Sequence, residues 1–136
     1  LVSAAGTGSG LTLEGLASTK RSGKRVAKLR EGDKLATVNL VGDRTVLLTR
    51  GGLGLVIDSK EIPVRDTAAV GVALISVRDG DEVTAAVSVK KAGGQTLVVE
   101  TASGKQREVA VRDIPFGHRG LRGARVVQRD EVVSAA

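Results

Sequence analysis

Between residues 45 and 87, apolar and polar positions fall into strand-length runs separated by turn residues. Thr45-Val46-Leu47-Leu48-Thr49 is β-branched and apolar, Gly51-Gly52 follows, and a second apolar run extends from Leu53 to Ile57. Two such runs joined by residues that tolerate positive φ predict a β-hairpin. Ile62-Pro63 is expected to end the second run, because proline gives no N–H to a ladder. A third run, Val70 to Val77, leads into Arg78-Asp79-Gly80-Asp81, a set suited to a turn, and a fourth, Glu82 to Val89, closes the pattern. Four strands in about 45 residues is the size of one propeller blade.

The pattern recurs. At an offset of 52, Thr49 falls on Thr101, Gly52 on Gly104, Ile62-Pro63 on Ile114-Pro115 and Gly71 on Gly123. At 46 in the other direction, Leu47-Leu48-Thr49 falls on Leu1-Val2-Ser3, Gly52 on Gly6 and Ile62 on Leu16. At 48, Val77-Arg78-Asp79-Gly80-Asp81 meets Leu29-Arg30-Glu31-Gly32-Asp33. The reading is an all-β, propeller-like fragment of about three four-stranded blades, near 1–38, 39–89 and 90–136, in one domain spanning 1–136. Residues 1–16 are read as a hairpin around Gly6, with a frayed Gly/Ser/Ala segment as the alternative. Leu1 aligns inside a strand and no methionine occurs, so the chain is expected to be a piece of a longer protein.

Charge narrows the function. The 21 basic residues exceed the 15 acidic ones, for a net charge of +6. Such an excess suits a polyanionic partner, although it also serves solubility. It concentrates in two glycine-interrupted segments. Residues 17–30 hold Lys20, Arg21, Lys24, Arg25, Lys28 and Arg30 with no acid, and residues 116–129 hold Arg119, Arg122, Arg125 and Arg129 with no acid. Arginine forks onto phosphate oxygens, lysine supplies a point charge, and glycine lets backbone N–H groups approach. The candidate phosphate-contacting residues are therefore Lys20, Arg21, Lys24, Arg25, Lys28, Arg119, Arg122 and Arg125. A solvated basic loop, or a short helix over 24–30, stays open for the first segment. The middle counterpart, Asp66 to Gly71, has no base, and Arg65 precedes it alone. Lys90 and Lys91 sit at a turn and are read as solvated.

Catalytic chemistry finds little to stand on. Cysteine and tyrosine are absent, His118 is the sole histidine, and no P-loop lysine motif occurs. Disulfides and thiolate metal sites are excluded, and one histidine makes neither a His-cluster metal site nor a nucleophile–base pair. The reading is of a non-catalytic chain with no metal site and no cofactor. The acids at 31–33 and 79–81 are read as turn formers, the first turn leading into a strand expected over Leu35 to Leu40.

Leu47-Leu48-Thr49-Arg50-Gly51-Gly52, followed by Gly71-Val72-Ala73-Leu74-Ile75-Ser76-Val77-Arg78-Asp79-Gly80-Asp81, resembles the blade pattern of the C-terminal β-pinwheel domain of the A subunit of bacterial type IIA topoisomerases, DNA gyrase and topoisomerase IV. The resemblance covers essentially the whole chain. It implies a disc of blades whose basic rim bends or wraps duplex DNA without reading sequence. It implies an accessory module of an ATP-dependent topoisomerase whose cleaving tyrosine lies on another domain. The implied partners are duplex DNA, the B subunit, which is a separate chain, together with the rest of the A subunit. No membrane is implied, and the setting is cytoplasmic and nucleoid-associated. The gyrase signature box, Gln-Arg-Arg-Gly-Gly-Lys-Gly, is matched only in part, by Gly117-His118-Arg119-Gly120-Leu121-Arg122-Gly123 and by Thr19-Lys20-Arg21-Ser22-Gly23-Lys24-Arg25. That departure points toward a divergent or topoisomerase IV-like protein. The alternative function is a non-catalytic propeller that docks an acidic protein partner.

Overall fold

The computed structural model describes residues 1–12, 28–65, 71–90, 95–128 and 130–136. Its central sheet is built on the hairpin expected at Gly51-Gly52. Strand β5 (Arg44–Thr49) pairs antiparallel with β6 (Leu53–Asp58), Val46 opposite Val56, and on its other side with β9 (Val83–Val89). Both faces of β5 are buried, which explains an apolar run without alternation. Val46 and Leu48 face one core with Val56, Leu97, Val99, Ile114, Val127 and Val132. Leu47 faces a second with Val2, Leu55, Ile57, Leu74, Ile75 and Val83. Aliphatic side chains form both cores, and Phe116, the one aromatic residue, is 55% exposed with the Arg44 guanidinium 4.3 Å over its ring.

Flanking sheets repeat the plan. On one side, β1 (Val2–Ser3) pairs with β2 (Thr7–Gly8) and β4 (Leu35–Thr37). On the other, β10 (Thr96–Thr101) pairs with β11 (Gln106–Ala110) and β14 (Val132–Ala135). The hairpin bond recurs three times, as the N–H of Gly6, Gly52 and Gly104 donates to the carbonyl of Ser3, Thr49 and Thr101 at 3.1, 3.0 and 3.0 Å. All three glycines lie at φ between 82 and 90°, where a side chain is strained. A second bond recurs as well, from the N–H of Ala4, Arg50 and Ala102 to the carbonyl of Lys34, Glu82 and Glu131.

The strands do not all come from one sequence repeat. The segment after each Ile-Pro crosses onto the preceding repeat and clasps its outer edge. Strand β7 (Val64–Arg65) lies parallel to β3 (Gly10–Leu11), and β8 (Val72–Ala73) lies antiparallel to β2. In the same register, β12 (Phe116–Gly117) lies parallel to β6 and β13 (Ala124–Arg125) antiparallel to it. The proline carbonyl leads each clasp, with Gly10 N–H donating to Pro63 at 2.7 Å and Val56 N–H to Pro115 at 2.9 Å.

Three expectations are corrected in detail. Strand β6 ends before Ile62-Pro63, at Asp58, whose side chain accepts from Lys60 N–H at 2.9 Å to start a 3-10 turn over Ser59–Glu61. Among the described residues of the run Val70 to Val77, β8 is the one strand, because Leu74 and Ile75 turn inward, both N–H groups reaching the Gly6 carbonyl. The strand expected over Leu35 to Leu40 stops at Thr37, since Asn39 Nδ2 leaves to donate to the Ala86 carbonyl at 2.9 Å.

Candidate nucleic-acid interface

The arginine segment 119–125 is the outer part of a clasp. Gly120 N–H donates to the Leu74 carbonyl at 2.8 Å and Ser76 N–H to the Leu121 carbonyl at 2.9 Å, so the segment's start lies on the preceding clasp. At its end, Gly123 meets β6 so closely that a Cβ there would stand 2.5 Å from the Gly54 carbonyl oxygen. The backbone is thus held at both ends while the side chains project. Arg119, Arg122 and Arg125 are all exposed. Arg125 Nη1 donates to the Gly51 carbonyl at 3.0 Å, and among the described residues no carboxylate pairs with any of the three.

Lys28 is exposed, as is Arg30 beside it. Lys20, Arg21, Lys24 and Arg25 lie outside the described residues, as do Arg129, Lys91 and residues 66–70 of the middle counterpart. What the structure adds is convergence. Arg30 and Lys34 line an open groove together with Ser76 and Gly120, and the same lining carries the carboxylates of Glu31, Asp33, Asp81 and Glu82. Gly120, the residue after Arg119, thus shares a groove with Arg30, although about ninety positions separate Arg30 from Arg119 in sequence. A neighbouring depression brings Arg78 beside Arg50 and Arg125.

Arg30, Lys34, Arg78 and Arg50 were not among the candidates. Arg78 carried a readable signal, because the repeat alignment sets it on Arg30 in the same turn. Both turns close alike, Asp33 N–H to the Arg30 carbonyl and Asp81 N–H to the Arg78 carbonyl, each at 3.0 Å. Arg50 is already engaged, with Nη1 3.4 Å from Glu82, Nε 3.8 Å from Glu131 and Nη2 donating to the Gly80 carbonyl at 2.7 Å. Lys34 stands 3.5 Å from Glu82 but remains 71% exposed, so this pair is worth ~0–1 kcal/mol and leaves the lysine usable.

The acids act as the turn reading expects, and reach further. Asp81 Oδ1 accepts from its neighbour Glu82 N–H and from Gly51 N–H across the hairpin, both at 2.8 Å. Asp33 does the same with Lys34 N–H at 2.8 Å and Ala5 N–H at 3.1 Å. Burial pushes the Asp33 carboxyl up, but its bonds to Ser3, Lys34 and Ala5 and the Arg30 charge outweigh that and hold it below the usual range. Asp130 is held at about 2, chiefly by the Ser103 and Thr101 hydroxyls, with backbone N–H groups of Glu131 and Ser103 adding to them. These carboxylates are occupied by the fold. Among the described residues no group of three or more His, Cys, Asp or Glu could hold a metal ion. His118 Nδ1 stands 3.2 Å from Glu61 Oε1 at a site 89% exposed on the histidine side, which is a surface contact.

The family model described as "DNA gyrase C-terminal domain, beta-propeller" matches residues 1–41 and 43–90, more than half of the chain. The chain belongs to that family. Among curated proteins, the A subunit of DNA topoisomerase 4 from Streptococcus pyogenes is 27% identical over 111 residues, 80% of this chain and 13% of that protein. The A subunit of DNA gyrase from Borrelia hermsii is 27% identical over 110 residues, 79% of this chain and 14% of that protein. The chain thus spans a small part of the relatives it matches. A crystal structure of the C-terminal domain of DNA topoisomerase IV superposes with a TM-score of 0.87 at 18% identity, covering 99% of this chain and 44% of that one. The fold is accordingly all-β and of the β-pinwheel kind, as the sequence pattern implied.

Proposed function

We propose that this chain binds duplex DNA through its phosphates, without reading sequence, and bends or wraps it along a basic rim. In this reading it is the accessory, non-catalytic module of the A subunit of an ATP-dependent type IIA topoisomerase. It works with the remainder of its parent protein and with the B subunit in the bacterial cytoplasm. We take residues 1–136 as one domain fragment of three repeats. The observation that carries the proposal is the arginine segment 119–125. Its backbone is pinned by hydrogen bonds to neighbouring repeats, while three guanidinium groups face solvent with no carboxylate partner among the described residues. A pinned backbone lowers the entropy lost when phosphates bind, and a row of free arginines suits a repeating anion better than one compact ligand. Arg30 and Arg78, both exposed, open the matching turns of the two preceding repeats and add two further bases to the surface. Phosphate contacts position a duplex but carry no sequence information.

The test is electrophoretic mobility of linear duplexes of unrelated sequence against rising salt. Equal affinity for all sequences, falling steeply with salt, is expected. Failure to retard duplex at about 20 mM salt, where counterion release favours binding most, overturns the proposal.

A further inference from the structure

The arginine segment meets a carboxylate at one place, its head. Among the described residues Arg119, Arg122 and Arg125 pair with none, whereas His118 Nδ1 stands 3.2 Å from Glu61 Oε1. The fold sets both partners. Glu61 ends the 3-10 turn that Asp58 caps, and the turn is closed by Ile62 N–H donating to the Ser59 carbonyl at 3.1 Å. His118 follows Gly117, which pairs with Ile57 on β6, and two residues later Gly120 N–H donates to the Leu74 carbonyl. His118 and Arg119 thus lie between two backbone anchors on the outer strand of the central sheet.

The two side chains are unequally placed. His118 is 89% exposed and Glu61 27%. Glu61 is the partner held against the fold, and the imidazole is the partner that can reach a ligand. Its Nε2 has no hydrogen-bond partner among the described residues. Other charges surround the pair without touching the imidazole. Asp58 accepts from Lys60 N–H, and both line a shallow depression with Asp43. Arg44 of β5 lies over Phe116, two residues before His118, and Arg119 follows it directly.

We infer, on the reading that this segment meets DNA phosphates, that His118 is a proton-gated fourth contact and Glu61 its gate. Imidazole is the side chain whose charge changes between pH ~5 and ~8. While His118 is neutral, Glu61 is an uncompensated carboxylate beside Arg119 and repels phosphate. When a proton from solvent makes it imidazolium, both ring nitrogens donate. Nδ1–H pairs with Glu61, and Nε2–H is free for a phosphate oxygen. The pair changes from one negative charge to none, so the segment gains one positive charge. Its anchored backbone presents that charge next to Arg119 at little cost in entropy.

Duplex retardation against salt at pH ~8 and pH ~5.5 tests this with the wild-type chain, His118→Gln and Glu61→Gln. At the lower pH the wild type is expected to bind about three- to tenfold more tightly, with a log K against log salt slope steeper by up to about 1. His118→Gln should lose that gain. Glu61→Gln should bind more tightly than wild type at pH ~8, because the repulsion is gone. His118 is the sole histidine of the chain, and the Leu1 ammonium, which burial holds below its usual range, is common to all three proteins and cancels. Where duplex is bound, a pH response kept by His118→Gln, or no gain from Glu61→Gln at the higher pH, overturns the gate alone. Absence of retardation at both pH values overturns the DNA reading and the gate together.

Discussion

At the scale of single residues, the aspartates of the Gly-Asp turns do more than their composition suggests. Asp81 bonds the turn that contains it and the hairpin thirty residues earlier. Asp81→Ala leaves the Gly51 and Glu82 amides without their acceptor and is expected to cost about 2 kcal/mol, charge-assisted bonds being the stronger class. Asp81→Asn keeps an acceptor oxygen and should cost much less. Urea unfolding midpoints at constant slope would compare the two. Asp130 makes a prediction in pH. Its folded pKa, about 2, lies below the ordinary value near ~4, so its contribution is present above pH ~4 and is lost as pH falls through its folded pKa. A carboxyl carbon titration by NMR should place the Asp130 midpoint well below the ordinary aspartate value. A midpoint near ~4 would show that the Ser103 and Thr101 hydroxyls do not hold it.

At the scale of elements, the clasp decides what a glycine is worth. Gly52 and Gly104 occupy the same hairpin position with nearly the same φ, 90 and 82°. Among the described residues of this 136-residue chain, on which the comparison is to be made, the segment at Val127 covers Gly52 and none covers Gly104. Gly104→Ala should cost the backbone strain alone, ~1–2 kcal/mol, whereas Gly52→Ala must also displace the Val127 carbonyl and should cost about 3 kcal/mol or more. Equal losses in thermal or urea unfolding would mean that the clasp contributes nothing at Gly52. The hairpins themselves were legible in the sequence, because positive φ leaves a glycine and buried strands leave β-branched runs. The clasps were not. Gly71 and Gly123 showed as repeat positions, but their cause is a backbone-to-backbone approach with a strand of the preceding repeat, and one sequence does not reveal which strand that is. Beyond β8 the same cause operates, as Leu74 and Ile75 pack inward against the preceding repeat's hairpin at Gly6 instead of extending the strand.

At the scale of the whole molecule, the proposed rim draws on residues distant in sequence, and charge clusters alone point to only part of it. The run at 17–30 and the arginines at 116–129 were evident because they lack acids. Arg78 was obscured by Asp79 and Asp81, although the Asp81 carboxylate serves the turn and the Arg78 side chain is exposed. The groove joining Arg30 and Lys34 to Gly120 needed the fold. This layout fixes the mutational test of DNA binding. Each phosphate neutralised releases counterions, so log K falls against log salt with a slope of roughly −0.9 per contact, and removing one contacting base lessens the slope by about 1. Arg119→Ala/Arg122→Ala/Arg125→Ala should flatten the slope and weaken binding to all duplexes alike, as should Lys20→Ala/Arg21→Ala/Lys24→Ala. Arg30→Ala/Arg78→Ala should do so by a smaller amount, with two bases removed instead of three. Lys90→Ala/Lys91→Ala serves as the control, because the Lys90 amide bonds Gln95 Oε1 and Lys90 does not line the groove. All four variants lower net charge, and the comparison therefore separates position from charge. A control that flattens the slope as much as the arginine set would mean that total charge, and no particular path across the rim, holds the DNA.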